Sequence, residues 1–393
     1  MSIKRIYTGV FLVFFGFLAA CSQNTVSNFS EIAVSASLSD RDLSLLADRV
    51  SDWIEARQEE DNIPGVAVAL VQGNEIILQA GFGDRDIAKQ RPVTPDTLFQ
   101  IGSTHKSMTA LLIATLVDDG ILDWDTPAIA IDSDFELDDP DSTQTVTLQH
   151  LLSMRSGIPD DAEDEFDLDN SEAEDVFEYL AEVELLGEPG DVFGYSDLAV
   201  SLAGYLAVLA VDEDEEGLYE GYARLLQERV LDPIGMKDST ILTSEAIANP
   251  NYSRSYILED GELLEAETED FDGDPLAPSG SLKASITDMA RYISTQVNRG
   301  IAPNGDRVVS EENLLKTWQP KWGSYAMGWE IDEYQGIEVI AHEGSYDNFV
   351  SIIGIIPEYN IGFVVLTNCE DTASSLIEET PQKLIELAVD IQS

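Results

Sequence analysis

The strongest β patterns of this chain lie at its two ends, and a chain so arranged has few ways to close a core. Gly65-Val66-Ala67-Val68-Ala69-Leu70-Val71 and Glu75-Ile76-Ile77-Leu78-Gln79-Ala80 read as strands around a Gln72-Gly73-Asn74 turn, so an antiparallel hairpin opens the fold. Far downstream, Tyr325–Ile331, Ile337–His342, Phe349–Ile356 and Gly362–Leu366 alternate or run apolar between Asp-Glu-Tyr-Gln-Gly and Pro-Glu-Tyr-Asn turns. The segments between are helical in pattern. The expected class is α+β: an antiparallel sheet built from N- and C-terminal segments, flanked by helices, with a mostly helical inserted region. The α/β part is expected over about 41–105 and 276–393, and the helical part over about 106–275.

Helical spacing is clearest in Leu43, Leu45, Leu46, Val50, Trp53 and Ile54, for which Asp40 is the expected cap. It returns in Thr147–Met154, Leu198–Leu209, Leu218–Val230, the stretch from Ser285 through Ile293, and a closing helix over roughly Ala373–Ile391. Residues 159–191 are crowded with Asp and Glu and read as a solvated, partly loose excursion. Residues 250–275 are polar, acidic and only weakly periodic.

The chemistry concentrates in Phe99-Gln100-Ile101-Gly102-Ser103-Thr104-His105-Lys106, followed by the apolar helical run Leu111, Leu112, Ile113, Ala114, Leu116, Val117. A strand-like approach, a Gly and then Ser at a helix start put Ser103 where free N–H groups and the positive end of the helix dipole converge. Lys106, three residues on, returns its amine to the face that carries the Ser103 hydroxyl. A serine hydroxyl is a poor nucleophile until a neighbouring base takes its proton, and a lysine in a desolvated setting can serve. This is the only S-x-x-K in the chain.

Two further polar clusters sit in apolar surroundings. Gly194-Tyr195-Ser196-Asp197 opens the Leu198–Leu209 helix, with Ser196 or Asp197 as its cap, and Ala341-His342-Glu343-Gly344-Ser345 follows a strand. In this order the three clusters resemble the serine β-lactamase and penicillin-recognising hydrolase superfamily, in the branch with class C β-lactamases, D-aminopeptidases, D,D-carboxypeptidases and related esterases. The pattern there is S-x-x-K, then Y-x-N, then K-T-G or H-x-G. Leu151-Leu152-Ser153-Met154-Arg155-Ser156-Gly157-Ile158 and Leu231-Asp232-Pro233-Ile234-Gly235-Met236 add softer similarity, and the resemblance spans roughly residues 40–390.

The resemblance implies a β-lactamase/transpeptidase-like fold and assigns roles. Ser103 is acylated. Lys106 and Tyr195 form the proton-handling pair, either being the base. The backbone N–H groups of Ser103 and Ser345 form the oxyanion hole, with Gly344 allowing the close approach. His342 stands for the Lys of K-T-G and orients Tyr195 or helps a proton reach the leaving group. Tyr346-Asp347-Asn348 also reads Y-x-N, but it follows H-x-G instead of preceding it.

Two departures bear on the substrate. Asp197 replaces the Asn of Y-x-N; a carboxylate there is expected to pair with Lys106, hold it charged and shift the base's task to Tyr195. Glu343 stands where lactamases have a Thr hydroxyl; lining the groove it repels a substrate carboxylate, and pointing away it still leaves the hydroxyl missing. Both favour a neutral or cationic ester or amide, that is, an esterase or a D-amino-acid peptidase or amidase. The alternatives are a class C-like β-lactamase, and a penicillin- or cell-wall-fragment-binding protein with little or no turnover.

Charge and termini give the address. Acidic residues number 75 against 21 Lys plus Arg, a formal net charge of −54, which argues against nucleic acid or an anionic membrane surface as partner. Lys4 and Arg5 precede the apolar run from Ile6 to Leu18, which ends in Leu18-Ala19-Ala20-Cys21. That is a secretory signal over 1–20, and its L-A-A-C end resembles the bacterial lipoprotein box, implying lipidation of Cys21 and a tether over 21–40. The expected place is therefore the outer membrane, facing the periplasm, with the lipid as the only membrane contact and a peptidoglycan-derived or other small ester or amide as partner. Cys369 has no partner for a disulfide, and His105, His150 and His342 have no metal-ligand spacing, so neither a metal nor a cofactor is expected.

Overall fold

The computed structural model describes residues 38–168, 170–211, 217–267 and 272–393. The expected signal peptide, most of the tether and Cys21 lie outside the described residues. The first helix, α1 (Asp40–Glu60), is capped by Ser39, not by Asp40. The Ser39 Oγ accepts from the Asp42 N–H at 3.3 Å while the Asp42 carboxylate accepts from the Ser39 N–H at 3.1 Å. This reciprocal pair satisfies two otherwise orphan donors, so the helix starts one residue earlier than a lone Asp cap implies.

The opening hairpin forms as its turn chemistry dictates: β1 (Gly65–Gln72) and β2 (Glu75–Asp86) join through Gly73, at φ +58°. After β3 (Arg91–Pro92) the chain enters the short strand β4 (Leu98–Gln100), which leads to Ser103. Next come β5 (Tyr256–Glu259) and β6 (Glu262–Glu265), then β7 (Lys283–Ser285), which pairs with β4. Four strands close the chain: β8 (Glu330–Tyr334), β9 (Ile337–Tyr346), β10 (Phe349–Ile356) and β11 (Ile361–Thr367). The main sheet has the order β3-β2-β1-β11-β10-β9-β8 and is antiparallel at every pairing. Its two ends meet at β1 and β11, in register from Val66 opposite Thr367 to Gln72 opposite Ile361.

Both faces of the central strands are covered, so β1 reads as an unbroken apolar run. Val66, Val68 and Leu70 pack toward α1 and the closing helix, while Ala67, Ala69 and Val71 face the larger helical core. That core is built around α2 (Lys106–Asp118), α3 (Asp197–Val211), α4 (Leu218–Leu226) and α5 (Ile286–Val297), and α6 (Glu370–Gln392) closes the chain against the other face. Ser285 caps α5, its Oγ accepting from the Asp288 N–H at 3.2 Å.

Three regions differ from expectation. The acidic stretch 159–191 is no loose excursion: Ala162, Phe166, Leu168, Ala173, Val176 and Leu180 are buried in the helical core, and among the carboxylates between them Asp164, Glu165, Asp167, Glu172, Glu174 and Glu178 are exposed while Glu163 turns inward. Apolar residues at irregular spacing escape a periodicity search, yet burying them outweighs the local crowding of charge. Within 250–275, β5 and β6 form a hairpin whose turn, Asp260 at φ +51° and Gly261 at φ +84°, is the Asp-Gly type. The strand expected over Tyr325–Ile331 begins only at Glu330; Tyr325–Trp329 forms a loop that crosses the start of α2, with Gly328 at φ +74° against the Lys106 backbone.

Candidate active site

Ser103 lies in a short 3-10 turn, Gly102–His105, between β4 and α2. The first N–H groups of such a turn have no acceptor within it, so the Ser103 N–H is free to serve a ligand. The opposite wall is β9. An added Cβ on Gly344 would stand 2.3 Å from the Ile101 carbonyl oxygen and 2.9 Å from the Ser103 nitrogen, and one on Gly102 would stand 2.7 Å from the Ser345 nitrogen. Only glycine at both positions lets the Ser103 and Ser345 N–H groups come this near, and Ser351 Oγ ties the two walls by donating to the Ile101 carbonyl at 2.7 Å.

Alternation along β9 sorts its side chains. His342, Gly344 and Tyr346 face the site, whereas Glu343 and Ser345 face α6. Ser345 therefore offers the site only its backbone; its Oγ donates to Glu370 at 2.7 Å. Glu343 does not line the groove as one expectation allowed. Glu343 is exposed on the α6 face, where partial desolvation and the carboxylates of Glu378 and Asp332 draw its carboxyl upward. β8 pairs with β9 only as far as Ala341, so among the described residues no strand covers the outer edge of His342–Tyr346. An extended substrate can add to that edge.

Lys106 is fully buried and points at Ser103. Its Nζ donates to Ser103 Oγ at 2.7 Å and to the Ser279 carbonyl at 3.2 Å, and it is ion-paired with the Asp197 carboxylate. The expected Lys106–Asp197 contact is present. Ser196, not Asp197, caps α3, its Oγ accepting from the Ala199 N–H at 3.2 Å, which leaves the Asp197 carboxylate for Lys106.

Tyr195 stands on the other side of Ser103. Its hydroxyl is hydrogen-bonded to Ser103, and its ring centroid is 5.0 Å from Lys106 Nζ. Burial and then the Asp197 carboxylate push the phenol well above its usual value, against the pull of the Ser103 hydrogen bond. It is a neutral phenol at ordinary pH, not a standing phenolate.

His342 is placed beside this pair but does not orient Tyr195 by a hydrogen bond. The rings lie 6.2 Å apart, centroid to centroid. The Nδ1–H donates to the Glu343 carbonyl, which leaves Nε2 to accept from the Tyr325 hydroxyl at 2.9 Å. Burial and then the Lys106 charge lower the imidazole to about 4, so it is neutral. Its two nitrogens are occupied, and its contact with Tyr195 is by packing.

Sequence reasoning missed three contributors. Tyr325 fixes His342 and meets the Tyr195 ring edge-on at 6.1 Å. The Ser279 carbonyl holds Lys106, and Glu163 comes from the acidic stretch to stand beside Asp197. Nothing in the spacing singles out Glu163 among 75 acidic residues.

A serine hydroxyl, a buried amine, a phenol and two converging N–H groups are thus gathered from three separate parts of the chain. A family model described as Beta-lactamase matches residues 50–388. The chain belongs to the beta-lactamase family. This superfamily, which includes penicillin-binding-protein-like members, consists generally of serine hydrolases.

Relatives of this beta-lactamase family member include Protein flp of Staphylococcus aureus (strain MW2), 27% identical over 323 residues, which are 81% of this chain and 62% of flp. Another is Unguisins hydrolase ungD' of Aspergillus campestris, 29% identical over 332 residues, 80% of this chain and 60% of ungD'. The chain thus spans about three fifths of the length of these curated relatives. Among solved structures, the octameric penicillin-binding protein homologue from Pyrococcus abyssi superposes with a TM-score of 0.71 at 25% identity, covering 86% of this chain and 77% of that one. SurE shares the fold at a TM-score of 0.72 and 20% identity, covering 88% of this chain and 77% of its own.

Proposed function

We propose that this protein is a serine hydrolase that acylates Ser103 with an ester or amide and releases the acyl group to water. The carrying observation is the 2.7 Å contact between Lys106 Nζ and Ser103 Oγ at a point where two backbone N–H groups converge. Ser103 attacks the carbonyl carbon in the form of the site in which the Lys106–Tyr195 pair has first given up one proton; the pair then takes the Ser103 proton and hands it to the departing oxygen or nitrogen. The negative charge on the tetrahedral carbonyl oxygen is met by the Ser103 and Ser345 N–H groups. Water then repeats the sequence on the acyl-enzyme. The name of one relative, Unguisins hydrolase, supports a hydrolytic reading.

The acidic surroundings favour a neutral or cationic substrate. Asp197 reaches Lys106 beside Ser103, so an anionic group placed there meets its carboxylate. With Glu343 turned to the other face, Asp197 is the feature that disfavours an anionic β-lactam. The same reading places the enzyme at the cell envelope on a lipidated Cys21.

The test is turnover of p-nitrophenyl butyrate, D-alanyl p-nitroanilide and nitrocefin by the wild type and by Ser103→Ala. Turnover of the ester or amide that falls at least a hundredfold in the variant supports the proposal. Rapid nitrocefin hydrolysis above the ester rate replaces it with a β-lactamase. Stable labelling by a fluorophosphonate or penicillin probe without turnover replaces it with a binding protein.

A further inference from the structure

The carboxyl of Glu163 enters the site from an unexpected direction. It projects from the 3-10 turn Asp160–Asp164, which is fastened to the body by its buried Ala162 and by the Tyr179 hydroxyl donating to the Ala162 carbonyl at 2.6 Å. The Tyr179 ring in turn packs on Phe166 at 5.0 Å. Glu163 accepts a hydrogen bond from the Asp197 N–H, the first backbone donor of α3, while its Oε2 is buried with no hydrogen-bond partner. A carboxylate oxygen shut away from both water and donors is costly, and that cost falls when the group carries a proton.

We propose that Glu163 is a positioning residue of this site: it fixes Asp197 against Lys106 and, by the charge its carboxyl gains or lacks, sets the alkaline limit of Ser103 acylation. This rests on the serine-hydrolase reading above. The groups that face Glu163 are Asp197 at the start of α3, Lys106 on α2, Tyr195 before α3, and Asp164 on its own turn. Desolvation first, and then the Asp197 carboxylate, raise Glu163 to about 8, against the pull of Lys106. Below that point the lysine faces one carboxylate and the pair is balanced. Above it, a second negative charge stands beside Lys106 and Asp197. That charge opposes the oxyanion forming at Ser103, so acylation slows.

Glu163→Gln keeps the oxygen that accepts from the Asp197 N–H and removes the ionisation. The experiment follows the acylation phase with p-nitrophenyl butyrate between pH 6.5 and 9.5 for wild type, Glu163→Gln and Ser103→Ala. The wild-type rate is expected to fall with a midpoint near 8. The ratio of Glu163→Gln to wild type is expected to rise about tenfold between pH 7 and pH 9. Infrared difference spectra of the wild type supply a second readout, a protonated carboxyl band lost over the same range and missing from Glu163→Gln. A parallel alkaline limb in the variant, or no carboxyl titrating near 8, overturns the inference. A purely structural role changes rate or melting temperature while leaving the limb in place, and so also overturns it. Ser103→Ala acylating as fast as wild type refutes the hydrolase reading instead, while the infrared titration still decides the state of Glu163.

Discussion

The buried ammonium of Lys106 is ion-paired with the carboxylate of Asp197, and the same ammonium donates to Ser103 Oγ at 2.7 Å. The Ser103 hydroxyl is therefore coupled to a charge pair, not to a lone amine. Asp197→Asn keeps an oxygen for Lys106 but removes the anion, which eases proton loss from the site. The acidic limb of the pH–rate profile is expected to move down by on the order of one pH unit. Asp197→Ala leaves the buried charge uncompensated and is expected to cost about 3 kcal/mol in a urea melt. An unmoved limb in Asp197→Asn would show that the carboxylate's charge is not felt at Ser103.

Gly344→Ala tests the oxyanion geometry. Its Cβ would stand 2.3 Å from the Ile101 carbonyl oxygen and 2.9 Å from the Ser103 nitrogen, both backbone atoms with little room to yield. The β9 wall must move away from Ser103, and the ester rate is expected to fall by about a hundredfold or more. Stability should fall by about 1–3 kcal/mol from overpacking. Steady-state kinetics with p-nitrophenyl butyrate and a urea melt of the same sample check both.

His342 gives a pH dependence of stability. The folded protein holds it neutral down to about 4, whereas the unfolded ring takes a proton below its ordinary 6.5. Its contribution is complete above 6.5 and is lost as pH falls toward 4, a loss of about 3 kcal/mol over the window. Urea melts of wild type and His342→Gln at pH 7.5, 5.5 and 4.5 isolate this group from the carboxylates, which titrate in both proteins. The wild type is expected to lose stability faster with acid; parallel losses would contradict the assignment.

Glu343→Thr restores a hydroxyl at the position where lactamases have one, but on a strand whose alternation turns that side chain toward α6. Ester turnover is expected to stay within about twofold of wild type, and nitrocefin hydrolysis should not appear. A large change in either rate would place this side chain at the groove.

Much of this arrangement is legible in the residues. The Gly73 turn, the alternation of the C-terminal strands and the Ser285 cap carry local signals, because hairpins, strands and caps are decided by neighbours a few residues apart. Ser103 and Lys106 are legible for the same reason: one helical turn brings them to one face. Ser39 was missed as a cap because the reciprocal bond from Asp42 decides between adjacent candidates.

What the sequence by itself determined is the α+β class, a sheet drawn from both ends, and the candidate nucleophile with its lysine. Only the tertiary structure decided that Glu343 leaves the groove, that the His342 nitrogens go to Tyr325 and the Glu343 carbonyl, and that Glu163 reaches Asp197. Those outcomes depend on which face of a strand meets which helix and on contacts between residues far apart in sequence. Burial of Ala162 and Phe166 brings an acidic segment onto the site, a result of packing that no local spacing encodes.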